Sequence, residues 1–219
     1  MRLEMADITT KDRIRLVAHD LLMQYGIRSI SMDDIAAKLG MSKKTIYQFY
    51  KDKDQLVEEV IDDVIVRNQA TCIADKKKAD NAIHEIFIAM DLVTEIFRSM
   101  NPSVMFDLQK YHPAAFAKFL NHKNEFLLSM MRQNIRRGID EELYRPEIKL
   151  EVMARFRVES MFIPFNQEFV KNARATLLDI EQEILVHFLF GLVTLKGYKM
   201  VLKYQKKREK AIHTDKKIQ

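Results

Sequence analysis

The chain opens with apolar residues at helical spacing. Ile14, Val17, Ala18, Leu21, Leu22 and Tyr25 recur every three or four positions, which puts them on one stripe of a helix. Gly26 follows, where a helix end favours a left-handed residue. Ser31, with the acid Asp34 three residues on, has the form of a capping box and predicts the start of a second helix. Its buried side is Ile35, Ala36 and Leu39, and Gly40 ends it. Ser42 can cap a third helix with Ile46, Phe49 and Tyr50 as inward candidates. Asp52, with Gln55 three residues later, can cap a fourth, whose stripe is Leu56, Val57, Val60, Ile61, Val64 and Ile65.

The second and third of these helices, joined at Gly40-Met41-Ser42, match a helix-turn-helix. The two helices cross steeply, so the turn between them is tight, and Gly40 sits where a positive φ is needed. Lys43, Lys44, Thr45, Tyr47 and Gln48 are polar positions at the start of the third helix, the end that enters the DNA major groove in this motif. Lys, Thr and Gln can bond base edges, and a Tyr ring can pack on sugar or a thymine methyl. Outside such a motif, a pair of lysines is an ordinary solvated helix face.

Beyond about residue 54 the composition changes, and twelve of the 13 Phe lie after residue 86. Helical stretches are expected between breaks at Asn101-Pro102, His112-Pro113, Gly138 and Arg145-Pro146, and Pro164 would kink or break another. A last helix is expected over about 177–204. Apolar residues cover nearly all its sides between Ile184 and Leu195, so it must be buried all round. One face can cover the chain's own core. The other needs a partner, and a second copy is the natural one, through Ile184, Phe188, Gly191, Leu192 and Leu195.

Composition narrows the class. Among 219 residues there are 5 Gly and 4 Pro, too few for a hairpin-rich β fold. The single cysteine, Cys72, excludes a disulfide scaffold or a Cys-rich zinc site and reads as a structural thiol. The six histidines show no pair at ligand spacing, and no nucleophile elbow, zinc-protease, P-loop or dinucleotide pattern occurs, so no metal, no cofactor and no enzyme activity are expected. The apolar run over 184–195 is interrupted by His187 and Thr194 and is shorter than the roughly 20 residues of a membrane span. Met1 to Thr10 carries Arg2, Glu4 and Asp7 and no apolar run, so it is not expected to be a secretion signal. The expectation is an all-α, cytoplasmic protein without a membrane partner.

The net charge of +5 adds less than it promises. Seven cations and two anions between Lys203 and Gln219 account for all of it, and residues 1–202 are neutral in sum. A nucleic-acid reading therefore rests on where Lys43, Lys44 and Lys53 stand, not on the total.

The stretch from Ile30 to Leu56 resembles the TetR/AcrR family of bacterial transcriptional regulators. It carries Ile35-Ala36, Gly40-Met41-Ser42, Thr45-Ile46-Tyr47, the aromatic pair Phe49-Tyr50, and Lys53-Asp54-Gln55-Leu56 at the family's spacing. The resemblance covers about residues 9 to 65. It implies an N-terminal three-helix helix-turn-helix domain (1–55), a helical effector-binding and dimerisation domain (56–205) and a basic, flexible tail (206–219). Carried over by position, it places Ser31 and Met32 near phosphate, Ser42, Lys43, Lys44, Thr45, Tyr47 and Gln48 on or at the head of the recognition helix, and Lys53 against phosphate beside the fourth helix's N-terminus. One departure stands out: the family commonly has Tyr or His and then Phe where this chain has Phe49-Tyr50, so a phosphate contact there is lost or moves to Tyr50, a core position whose hydroxyl would reach out. The family's C-terminal domains hold a small-molecule pocket. An apolar one is implied here, drawn from Phe87, Met90, Phe97, Met105, Phe106, Phe119, Phe126, Met130, Phe162 and Phe165; taken singly, each of these is an ordinary core residue. The expected protein is a homodimeric repressor, released from a palindromic operator in double-stranded DNA by an apolar effector. The alternative is a non-regulatory DNA-binding protein of the same fold that organises the chromosome.

Overall fold

The structure is a computed structural model describing residues 9–215. It holds twelve α-helices: α1 (Thr10–Tyr25), α2 (Met32–Leu39), α3 (Lys43–Tyr47), α4 (Lys53–Lys78), α5 (Ala82–Ser99), α6 (Val104–Tyr111), α7 (Pro113–His122), α8 (Leu128–Asp140), α9 (Leu150–Ser160), α10 (Gln167–Ala173), α11 (Leu177–Leu192) and α12 (Leu195–Asp215). A one-turn π-helix, Lys123–Leu127, leads into α8, and a 3₁₀ turn, Ile163–Phe165, contains Pro164 and precedes α10. The described residues form no strand, only an isolated bridge between Tyr144 and Val193.

The chain divides into two compact units, one made of residues up to 69 with 96–122, the other of 70–95 with the residues from 123 on. The first is built from the periodic stripes of the N-terminal helices. Ile14, Ala18 and Leu22 of α1 pack with Ile35 and Ala36 of α2, Ile46 of α3, Tyr50, and Leu56, Val57, Val60 and Ile61 of α4. This core does not close at residue 55, because Val104 and Leu108 of α6 and Ala115 of α7 belong to it as well.

Helix ends in this unit are satisfied by side chains three residues away. Thr9 caps α1 through the Asp12 N–H, at 3.2 Å. Ser31 and Asp34 form a reciprocal capping box on α2, the Ser31 hydroxyl accepting from the Asp34 N–H at 3.2 Å and the Asp34 carboxylate accepting from the Ser31 N–H at 2.7 Å. Ser42 accepts from the Thr45 N–H at 3.1 Å and so heads α3. Asp52 accepts from the Gln55 N–H at 2.8 Å while the Gln55 amide oxygen accepts from the Lys51 N–H at 2.7 Å. Gly40 takes the left-handed conformation, φ 65°, that the tight turn requires.

The second unit gathers Ile83, Ile86, Phe87 and Met90 of α5, Leu128 and Ile135 of α8, Ala154 and Val158 of α9, Leu185, Phe188, Leu189 and Leu192 of α11, and Val201 of α12. Two expectations about its helices are corrected. Gly138 does not break a helix but lies inside α8. The Tyr144 ring covers it, and a Cβ there would fall 2.0 Å from that ring. The single last helix is two helices. Val193 turns extended (φ −76°, ψ 149°), and the Thr194 N–H donates to the Leu143 carbonyl at 2.9 Å. The Thr194 hydroxyl then accepts from the Gly197 N–H at 3.1 Å and starts α12. Helix α12 continues to Asp215, so the backbone of the expected tail is helical that far; 216–219 lie outside the described residues. None of the described helices is long and apolar enough to cross a membrane.

Candidate nucleic-acid interface

Helix α3 is five residues long, and one residue fixes it: Ile46 is fully buried in the first unit's core. With Ile46 inward, Lys43, Lys44, Tyr47 and Gln48 are exposed and Thr45 is half-buried. Tyr47 is 43% exposed, which leaves a whole ring edge for a partner. Ser42 is also exposed and spends its hydroxyl on the cap, where it lies 2.8 Å from the Thr45 hydroxyl.

The charge on this surface is partly held in reserve. The Lys43 ammonium donates to Asp33 at 2.7 Å, with both side chains about half exposed. That bond and the charge of Asp33 hold the lysine above its ordinary pKa. An exposed pair of this kind is weak, so a phosphate can displace Asp33 at little cost. Lys44 is exposed on the same helix.

Three expected contact residues do other work. Met32 is buried under α2 and is a core residue. Tyr50 is fully buried, its hydroxyl donating to the Lys11 carbonyl at 3.2 Å and the Lys11 ammonium lying 5.4 Å from its ring centre. Burial pushes its phenol up to about 12. A side chain so enclosed ties α1 to the residues after α3 and is not presented to a phosphate. Lys53 is half-buried, and its ammonium donates to the Ile27 carbonyl at 2.5 Å. Burial pushes its pKa down, against the pull of Asp107, Asp54 and Asp34. The carbonyl closing the α1–α2 turn is its partner here. Ser31 remains exposed at the head of α2 with its oxygen in the capping box.

Sequence reading passed over two surface positions and one support. Phe49 is 36% exposed, not inward, and Lys51 stands out in solvent beside it. The support is α6. Asp107 accepts from the Arg28 N–H at 3.0 Å, the Asn101 N–H donates to the Met23 carbonyl at 2.7 Å, and the Arg28 guanidinium lies 5.3 Å from the Tyr111 ring centre. The α1–α2 turn is thus fastened to a helix about 80 residues away, a pairing that no local pattern announces.

The expected pocket residues are divided between the two units. Phe97, Met105, Phe106 and Phe119 belong to the first unit, and Phe87, Met90, Phe126, Met130, Phe162 and Phe165 to the second. Phe87 and Met90 are buried core, and Phe106 is exposed. Two open clefts, about 440 and 450 Å³, are lined instead by Asn166, Glu168, Phe169, Asn172 and Ala173 and by residues of α4 and α7 that include Asp62, Gln69, Lys118 and His122. The expected dimer residues divide too. Phe188 and Leu192 are buried in the chain's own core, and Ile184 is half-buried. Gly191 and Leu195 are exposed, Leu195 at 73%. Helix α12 explains the pattern. Gly197 and Val201 face inward, whereas Leu195, Tyr198 and Leu202 line an exposed apolar face. Among the described residues no group of three His, Cys, Asp or Glu side chains could hold a metal. Burial pushes the Cys72 thiol up to about 11, which leaves it an inert thiol at neutral pH.

Comparison with known proteins agrees with this geometry. The family described as bacterial regulatory proteins, tetR family, matches residues 14–60, the span of the helix-turn-helix and its flanking helices. The HTH-type transcriptional regulator YvaF of Bacillus subtilis is 32% identical over 101 residues, 46% of this chain and 53% of that protein. An HTH-type transcriptional regulator of Staphylococcus aureus, SAB2452, is 34% identical over 83 residues, 38% of this chain and 43% of that protein. The chain thus spans about half the length of the curated relatives it matches. A TetR-family regulator from Agrobacterium tumefaciens superposes with a TM-score of 0.69 at 14% identity, covering 84% of this chain and 97% of that one. The reduced form of Escherichia coli NemR gives 0.65 at 11% identity over 85% and 98%. These two likenesses extend the shared fold through the second unit. The match over the helix-turn-helix and the all-α fold around it lead to one conclusion: residues 14–60 are similar to the helix-turn-helix of the tetR family of bacterial regulatory proteins, and the chain shares the fold of solved regulators of that family.

Proposed function

We propose that this chain is a transcriptional regulator that binds double-stranded DNA through α3 as a homodimer, represses from a palindromic operator, and is released by a small-molecule effector held in the second unit. The observation that carries the reading is α3 itself. Buried Ile46 anchors it, and Lys43, Lys44, Tyr47 and Gln48 are turned outward together. Such a short helix contributes nothing to the core beyond Ile46, and its exposed side chains are the donors and the ring that base edges and phosphates take.

The contact set is Ser42, Lys43, Lys44, Thr45, Tyr47 and Gln48, with Ser31 at the head of α2. Phe49 and Lys51 extend it at the edge. Lys53 acts one step back, by holding the α1–α2 turn. Dimerisation is assigned to the exposed apolar face of α12, Leu195, Tyr198 and Leu202, with Gly191 of α11 at its side. Val152 and Phe156, exposed one turn apart on α9, offer more surface of the same kind. Two copies would then set two recognition helices about one DNA turn apart, or a multiple of it. The effector acts by preferring a spacing that fits both half-sites poorly.

An occupancy map of the protein on its own genome tests the reading. A few sites at promoters, each a pair of inverted half-sites, are expected. Many scattered sites away from promoters would replace regulation with chromosome organisation.

A further inference from the structure

The second unit contains a charged pair more deeply buried than any other ion pair described in it. Arg157 of α9 is 2% exposed and Glu181 of α11 is 3% exposed, and they are hydrogen-bonded to each other. The Arg157 guanidinium also donates to the Ser160 hydroxyl at 3.1 Å, which in turn donates to the Arg157 carbonyl at 2.7 Å. Two buried atoms are left over. Arg157 Nε and Glu181 Oε2 have no partner within the protein. Each such atom is costly to leave unserved. A buried pair is also weak grounds for stability, since apolar residues of similar volume commonly do as well or better. Packing alone therefore does not explain it.

The surroundings narrow what could serve those atoms. Buried Ala154 and Val158 share α9 with Arg157, and Leu185 and Phe188 share α11 with Glu181, with the Phe156 ring 6.3 Å from that of Phe188. A second buried cation, Lys123 on the π-helical turn, pairs with Glu159 at 2.7 Å and lies 4.7 Å from the Phe162 ring centre. Both cations are already balanced, so a ligand bringing net charge would be buried without compensation. A donor beside an acceptor is what the two free atoms call for: an N–H or O–H toward Glu181 Oε2 and an oxygen toward Arg157 Nε–H.

We propose that Arg157 and Glu181 form the polar anchor of the effector site in the second unit, and that the effector is a neutral molecule whose hydroxyl or primary amide head bonds both atoms while its apolar body packs on the aromatic residues around them. This rests on the reading of the second unit as the effector unit, and it replaces a purely apolar ligand with one carrying a polar neutral head. The segment joining the two anchor helices is short of regular structure. Residues 161–176 contain only a 3₁₀ turn packed on α11 and the seven-residue α10, which ends at Arg174 in a left-handed conformation, φ 51°.

The full chain is titrated with benzamide, benzyl alcohol and toluene, probes of similar size that differ in the head. Melting temperature and calorimetric affinity are the readouts. Benzamide and benzyl alcohol are expected to bind about tenfold or more tightly than toluene and to raise the melting temperature. In the double variant Arg157→Met/Glu181→Leu that preference is expected to fall to about one, with melting at or above the parent's. Arg157→Lys keeps the ion pair and removes the Nε–H, so it should lose most of the preference even where the double variant folds poorly. Equal binding of toluene in the parent, or a preference that survives both variants, would overturn the proposal. So would no binding by any probe, which would leave the two atoms to buried water alone. Operator binding measured on the same samples separates the outcomes: a parent that binds the probes and no DNA refutes the regulator reading while the anchor stands.

Discussion

Both units cap helices locally, but the second also ties one helix junction from far along the chain. In the first, the α2 start, the α3 start and the α4 start are each satisfied by a side chain three residues away: Asp34 on Ser31, Ser42 on Thr45, Asp52 on Gln55. The second caps α10, α11 and α12 in the same way, through Asn166, Thr176 and Thr194, but its junction between α4 and α5 is also tied from far along the chain. Arg137 of α8 donates to the Ala79 carbonyl at 3.0 Å, and the Glu141 carboxylate accepts from the Ala82 N–H at 2.8 Å. Arg157 and Glu181 repeat the theme inside the core. Local capping fixes where each helix starts whatever the rest of the chain does. Charges shared between distant helices make packing depend on several elements at once.

The largest effect expected from breaking this contrast is at Glu181. Replacing it alone with Leu strands the Arg157 charge and should cost about 3–5 kcal/mol in chemical denaturation, whereas the double apolar variant should not. If the single change is as mild as the double one, the pair is not a coupled unit. A local cap is worth less. Ser31→Ala should cost about 0.5–2 kcal/mol and, by loosening the start of α2, weaken operator binding through the fold rather than through a lost contact.

The roles assigned to the lysines differ in kind, and salt separates them. Lys44→Ala should lower the slope of log affinity against log salt by about one, as for one lost phosphate contact. Lys53→Met should leave that slope unchanged and show up as lost stability, because its ammonium serves the Ile27 carbonyl. Equal slope changes would return Lys53 to the phosphate.

The smallest effect is a pH dependence in the first unit. His122 is buried, with Nε2 3.0 Å from the Asn68 amide oxygen and Nδ1 3.3 Å from the Gln69 amide nitrogen. That pattern fits the neutral ring, donating at Nε2 and accepting at Nδ1. Burial holds its pKa below the ordinary 6.5. The unfolded chain therefore takes up the proton first as pH falls. Stability is full above about pH 6.5 and declines as pH drops through the lowered folded value. His122→Gln should flatten that stretch of the profile, and an unchanged profile would assign the decline to other groups.

The N-terminal helices were legible in the sequence because their signals are local. The stripes of α1 and α4, the Ser31–Asp34 box and the Gly40 turn each lie within a few residues, and the chain follows them. What escaped is non-local. Met32 could be placed near DNA by position, and only the packed core shows it facing inward; Tyr50 reads as inward from the sequence, but only the core shows its hydroxyl enclosed as well. Asp107, from α6, fastens the α1–α2 turn at a separation of 79 residues. The break at Thr194 had a local signal, a Thr three residues before Gly197, which the run of apolar residues through Leu195 masked. Phe and Met content could not separate pocket from core, since Phe87 and Met90 fill the core with the same chemistry that lines a pocket.

The most direct measurement is the operator affinity of Lys43→Ala/Tyr47→Ala beside its oligomeric state. Loss of the contacts both side chains would make should weaken specific binding by about a hundredfold or more. The dimer and the melting temperature should not change, since both residues are exposed and neither belongs to the core. Undiminished binding by a folded dimer would contradict the assignment of α3 as the DNA-reading helix.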